Sequence, residues 1–585
     1  MFEDFESDRG GAVVRHLLAR AVDPSPDLRL AVLRFLGDIC PQADTWPAAA
    51  DVAVGALGDP DDRVRRAAAW LFVAAVGADE AVGVFFGSSD PVVRTALAEA
   101  LWLPLLQRDD RGDQWVETAE RMRRDELPAV RFLGTCVALL TADATEWPML
   151  DAAVRADLLP AAEALGGVGG RTSWRAGERW AIVLRRRDRE QDAYVTVAQL
   201  VRAGEADSTR QAGLAIAAEA MRTWRSAPAR LAPVLSAVFA EPASAVRTAA
   251  TGVVCASLTA TRLAADRLAE MAVEPSVSAT VATALGCVGD PRAVPELLRL
   301  LRGGQPHPRL GEALAAVAPA VPDPTSLIVA AQHVLMEHQG SCHEGQDWHR
   351  SSALVAVRCL SVLGPDAAAA VPDLTAVLAE AMERGVLAEG RLAVSALEEI
   401  GAAAAPAVPI LRQFAVSDDV AADLAVRALL RITGDRRVAD DHLDSRPEEL
   451  RRCRIAPDLF DWLIQHGGLT DRQVRQLNHL FTQPGRMQVR AAVAYWRQHG
   501  PPAVPTLLGT LPRYLDDEAY APSAMRALAT MGPHAQPVIP ALDRLITSRH
   551  RTAVYLGDSD AEMRADEQLL QLALTTRAQI AASLS

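Results

Sequence analysis

Apolar positions along this chain fall again and again on one helical face. An acidic or Pro-containing turn is followed by an apolar residue and Arg. Apolar positions then recur four, seven and eight residues after the first, the spacing that lines one side of an α-helix. Val64-Arg65 leads to Ala68, Leu71 and Phe72; Val93-Arg94 to Leu97, Ala100 and Leu101; Val130-Arg131 to Gly134, Val137 and Ala138; Val246-Arg247 to Ala250, Val253 and Val254. Leu28-Arg29 and Val489-Arg490 open further copies, and Val277-Ser278 opens one with Ser in place of Arg.

A second pattern follows the first. Gly289-Asp290-Pro291-Arg292-Ala293-Val294-Pro295 opens the run Glu296 to Leu301; Gly364 precedes Val371-Pro372, Gly401 precedes Val408-Pro409, Gly500 precedes Val504-Pro505, and Gly532 precedes Ile539-Pro540. Each Gly fits a left-handed C-cap, and each Pro falls in the first turn of a new helix, where its missing N–H breaks no ladder bond. The unit is helix, short turn, helix. The marker arginines at 65, 94 and 131 are 29 and 37 residues apart, a loose period.

The Val-Arg start, the Ala-Leu-Gly middle and the Gly-Asp-Pro-Arg-Ala-Val-Pro junction resemble the HEAT-repeat family, in particular the bacterial HEAT-like subtype of phycobilisome lyases. The resemblance covers most of 24–435 and resumes over 487–546. It implies an all-α fold, a right-handed α-α superhelix of the HEAT/armadillo type, with roughly a dozen or more helix pairs sharing one continuous core. It also implies a structural role for the repeated Arg, bonded to an acidic or carbonyl group of the preceding turn, with Asp61, Asp62, Asp90 and Glu241 placed as partners. The expected organisation is a repeat array over 1–435, an irregular helical segment or joint over 436–486, and further repeats with a C-terminal capping helix over 487–585. The outer face of that last helix is read as Glu562, Arg564, Asp566 and Glu567.

Composition supports packed helices over sheets. Half of the 585 residues are hydrophobic but only 5 % are aromatic, and all 60 basic residues are Arg. The net charge of −14 disfavours phosphate backbones as partners and favours a protein or peptide with basic or apolar anchors. No charge-free run reaches the ~18 residues of a membrane span, and the acidic start lacks the layout of a secretion signal. These features predict a cytoplasmic protein without a membrane partner. Cys136, Cys255, Cys287 and Cys359 lie in apolar helical runs and are expected as buried free thiols.

Two stretches carry candidate chemistry. Residues 332–349 hold four of the twelve histidines with Cys342; His338, Cys342, His343 and His349 are candidate ligands for a zinc-class ion. Residues 166–190 join a Gly-rich loop to Arg175, Arg179, Arg185, Arg186 and Arg187, candidates for anion or nucleic-acid contact, although no Walker motif is present. Several HEAT-repeat proteins are enzymes. The repeated His-Glu pairs of deoxyhypusine hydroxylase reduce here to His343-Glu344, and no nucleophile elbow or His-Glu-x-x-His occurs. The expected function is a non-catalytic scaffold, without cofactor, that binds a protein along a concave surface formed by the second helices near Pro295, Pro372 and Pro409. The alternatives are a metal site or enzyme at 332–349, or a nucleic-acid binder at 171–189.

Overall fold

The computed structural model describes residues 16–39, 47–107, 113–141, 157–158, 160–161, 165, 176–202, 205–242, 244–274, 277–303, 307–338, 352–385, 387–416, 422–445, 453–517, 519–552 and 558–582. Among these, every regular element is a helix. The chain forms two compact units, Met1–Thr223 and Trp224–Ser585. The division therefore falls at 223/224, away from the segment 436–486 read as a joint.

In the first unit, helices Pro26–Ile39, Asp62–Val76, Pro91–Gln107 and Pro128–Thr141 pack one on the next. These are the helices opened by the marker dipeptides. Val64, Val93 and Val130 are buried with the positions four, seven and eight residues later, such as Leu71, Leu97 and Leu101, except that Ala138 is half-buried. Their starts are fixed locally: the Asp61 side chain accepts the Arg63 amide and caps Asp62–Val76. Close approach needs small residues. A Cβ added at Gly177 would lie 2.4 Å from the Ala212 carbonyl oxygen, where helix Ala176–Arg186 packs on Asp207–Thr223.

The second unit repeats the hairpin with Gly-Pro punctuation. Gly289, Gly364, Gly401, Gly500 and Gly532 all have positive φ, between 55° and 79°. Most lead through a short 3-10 turn into a helix with Pro at its first or second position, as at Val371–Arg384, Val408–Ala415 and Ile539–Thr547. Two such chained hairpins, Ser352–Arg384 and Glu389–Ala415, are long and apolar enough by length and composition to cross a membrane. Each turns at its Gly, and 61 % of the apolar window of the first is buried against other helices, as expected of core hairpins. Residues 456–482 form an ordinary pair, Ala456–Gln465 and Asp471–Thr482. Gly467 and Gly468 break them apart, and a capping box joins Thr470 and Gln473.

Helix Ser559–Ala582 corrects the reading of its charged face as an outer face. Arg564, Asp566 and Glu567 are buried. Asp566 takes Arg225 at 2.6 Å and Arg551 at 3.1 Å, while Glu567 accepts the Ser257 hydroxyl and the Leu258 amide, each at 2.7 Å. The helix joins the last hairpins of this unit to its first turns.

Candidate functional site

Most of the marker arginines are structural, and Arg29, Arg65 and Arg131 each grip two turns. Arg29 donates to the Asp23 and Pro24 carbonyls of its own turn and pairs through Nε with Asp59 of the following turn at 2.8 Å. Arg131 likewise holds the Asp125 and Glu126 carbonyls and reaches Asp157 at 2.7 Å. Arg65 pairs with Asp62 of its own turn, as expected, and also with Asp90 of the following turn, which the sequence placed with Arg94. Arg94 reaches Asp125 and Glu126, and Arg247 reaches Glu274. The carboxylate thus comes from the next turn, so Arg247 pairs forward and not with Glu241. Asp61 instead serves Arg63, and together these contacts hold its carboxyl at about 2.

A different set of arginines faces open space. In the second unit a cavity of 870 Å³ is lined by Arg427, Arg486, Arg490, Arg497 and Arg526 against only two carboxylates, Asp458 and Asp461, with Tyr520, Pro457, Val493 and Leu572 adding apolar wall. The lining comes from Ala422–Thr433, Ala456–Gln465, Arg486–His499, Ala521–Met531 and Ser559–Ala582. These are first helices of their pairs and the terminal helix, not the second helices expected to form the binding surface. Asp458 is shared by Arg427 at 3.0 Å and Arg490 at 3.2 Å; Asp461 takes Arg497 at 2.6 Å. Arg427 also reaches back to the buried Glu398 at 2.8 Å.

Burial, compounded by Arg486, Arg427 and Arg526, pushes the Arg490 guanidinium below its ordinary range in spite of Asp458. Burial also raises Asp461, with Asp458 adding to the shift against the pull of Arg497. The cavity therefore holds more positive charge than its own carboxylates neutralise, on a chain that is acidic overall.

The residues singled out from sequence take other places. Arg179 is fully buried and pairs with Glu99 at 2.8 Å, so it does not face an anion in solvent. Arg185 pairs with Glu219 at 2.6 Å, Arg187 donates to the Leu139 carbonyl, and Arg186 lies on the exposed side of the same helix. His338 ends helix Thr325–His338, where His333 and Glu337 pair at 3.1 Å. Arg175, Cys342, His343 and His349 lie outside the described residues. Cys136, Cys255, Cys287 and Cys359 are buried free thiols as expected, and burial raises Cys255, Cys287 and Cys359 to about 12. Among the described residues the donors that do converge are Asp423, His442 and Cys453, the last two within the segment 436–486 and Asp423 ahead of it.

Comparison with known proteins bears on the fold. No curated protein sequence matches this chain. Among solved structures, yeast importin-β (Kap95p) is 11 % identical with a TM-score of 0.45, covering 98 % of this chain and 91 % of that one. The Kap95–Nup1 complex gives 12 % identity, a TM-score of 0.46, and 98 % and 84 % coverage. The karyopherin Kap121p bound to the SUMO protease Ulp1p gives 12 % and 0.40, covering 100 % and 72 %. At such identities and scores these likenesses say nothing of activity. The family model for HEAT repeats matches residues 14–102, within the stretch where the Val-Arg markers and their paired helices are on view. Residues 14–102 thus match HEAT repeats, and every regular element among the described residues of the chain is a helix.

Proposed function

We propose that this chain is a non-catalytic α-solenoid scaffold that holds a protein partner, and that an acidic segment of that partner seats in the arginine-lined cavity. The observation that carries this reading is the imbalance of five guanidiniums against two carboxylates in one cavity. Arginine forks recognise carboxylates in bidentate fashion, and the apolar wall suits flanking side chains. The sign is opposite to the basic partner expected from net charge, because recognition follows the local field and not the total. A nucleic acid fits less well. Asp458 and Asp461 would face its phosphates, and the charge of −14 opposes a long polyanion.

The test measures binding of fluorescent Asp/Glu-rich, Arg-rich and single-stranded oligonucleotide probes to the full chain. The acidic peptide should bind best, and binding should weaken with salt. Arg486 and Arg526 are exposed, so R486E/R526E should keep the fold while losing about 10- to 100-fold in affinity. R124E, on an arginine 81 % exposed in the first unit, should change nothing. Preference for the basic peptide or the oligonucleotide, or indifference to R486E/R526E, would overturn the proposal.

A further inference from the structure

Three elements of the second unit each bring one donor to a common point. Asp423 stands in the first turn of helix Ala422–Thr433, His442 in the last turn of helix Arg436–Ser445, and Cys453 just ahead of helix Ala456–Gln465. His442 Nε2 lies 3.5 Å from Asp423 Oδ1 and 3.5 Å from Cys453 Sγ. All three donor atoms lie within 4.8 Å of one another. Asp423 and Cys453 are buried, and the His442 side chain is 9 % exposed.

Two ordinary readings fit this geometry poorly. A hydrogen bond from an imidazole N–H to a carboxylate closes to about 2.7–2.9 Å, well short of the 3.5 Å found here. A Cys–His–acid nucleophilic relay needs the thiol at one ring nitrogen and the carboxylate at the other. Here both face Nε2. A shared cation does fit. Zinc bonds of about 2.3 Å to S, 2.0–2.1 Å to N and 2.0–2.2 Å to O, set tetrahedrally, place S and N about 3.5 Å apart and N and O about 3.4 Å apart. The donor set is also right: a thiolate and an imidazole favour zinc over magnesium or calcium, and the carboxylate supplies further negative charge.

We propose that Asp423, His442 and Cys453 bind one divalent ion of the zinc class, which pins two helices and the turn entering a third. The Cys453 S–H proton leaves to solvent as the metal–sulfur bond forms, with no change of oxidation state. The fourth position of a tetrahedral ion falls to water or another donor. This site is distinct from the alternative metal candidates at 332–349 and is built from residues that sequence spacing does not connect.

The test uses the full chain, without a polyhistidine tag, stripped with a chelator. Zinc titrated against a chromophoric chelator should give about one ion per chain, and cobalt in its place should show a thiolate-to-metal charge-transfer band. C453S should abolish the band and H442N should abolish tight binding. D423N keeps the thiolate, so it should retain the band and shift the ligand-field spectrum. Circular dichroism on every variant guards against unfolding. H338A/C342A should bind as the parent does. No zinc uptake, cobalt without the thiolate band, a band that survives C453S, or loss of binding in H338A/C342A instead would overturn the assignment.

Discussion

Arg94 and Arg490 occupy the same place in the repeat, one after a buried Val, and they behave in opposite ways. Arg94 reaches forward to Asp125 and Glu126, and that pairing raises its pKa. Arg490 reaches back to Asp458, which Arg427 already holds, and burial with three neighbouring guanidiniums lowers its pKa. Asp516 and Asp517 stand in the turn where a ladder acid would sit, yet Asp517 accepts the Ala519 amide in its own loop. The repeat thus fixes where the arginine stands. The local count of carboxylates fixes whether it is a clamp between turns or a group facing a cavity.

The sharpest way to break that comparison is to remove a carboxylate from a one-to-one pair that water cannot reach. Glu99 and Arg179 form such a pair, with side chains 10 % and 1 % exposed. E99A leaves a guanidinium buried without its countercharge, and should cost about 3–5 kcal/mol in urea unfolding. The joint replacement E99L/R179M removes both charges at similar volume and should recover most of that loss. Equal loss in the double variant would show that packing at this site, not pairing, carries the stability.

The ladder and its helices were legible because their cause is local. The Val-Arg start, the apolar positions four, seven and eight residues on, and the Gly-then-Pro turns each act within a few residues, and each has its counterpart in a buried face, a positive φ or a first-turn Pro. The C-terminal helix departs from its local pattern for the opposite reason. Arg564, Asp566 and Glu567 look solvated in a helical pattern, but their partners Arg225, Ser257 and Leu258 come from more than 300 residues away in sequence. The cavity and the Asp423–His442–Cys453 group were hidden likewise. Asp423, His442 and Cys453 are 19 and 11 residues apart, spacings without a motif, while the cavity arginines follow the repeat period, and stacking of hairpins alone shows which of them face one another.

A smaller effect separates the clamp from the cavity on stability alone. R94M keeps the aliphatic stem of a side chain that is 16 % exposed and removes its bonds to Asp125 and Glu126. The expected cost is about 1 kcal/mol, since the pair is only partly screened and Asp125 keeps its bond to the Leu127 amide. Chemical denaturation followed by circular dichroism measures it. R124E, which loses only a distant 3.8 Å pair with Glu120, should leave the midpoint where it was. A midpoint as low for R124E as for R94M would mean that overall charge, not the clamp, sets stability.

The smallest expected effect is one of sign with pH. Asp61, bonded to the Arg63 side chain and amide, has its carboxyl lowered from 3.8 to about 2. The stability it adds is present above the ordinary Asp range and is lost as pH falls from about 4 to about 2. Asp461 is raised above 3.8 by burial. Its native state takes up the proton more readily than the unfolded chain, so its contribution is fullest below the ordinary Asp range and shrinks as pH rises through the raised value. Urea midpoints of the parent, D61N and D461N across mildly to strongly acidic pH should therefore diverge in opposite directions. The advantage of parent over D61N should fall on acidification, and that of parent over D461N should grow. The same sign for both variants would mean that Asp461 is held by Arg497 as firmly as the ladder acids are held by theirs. The distinction between paired clamps and an under-neutralised cavity would then fail at its carboxylates as well as at its arginines.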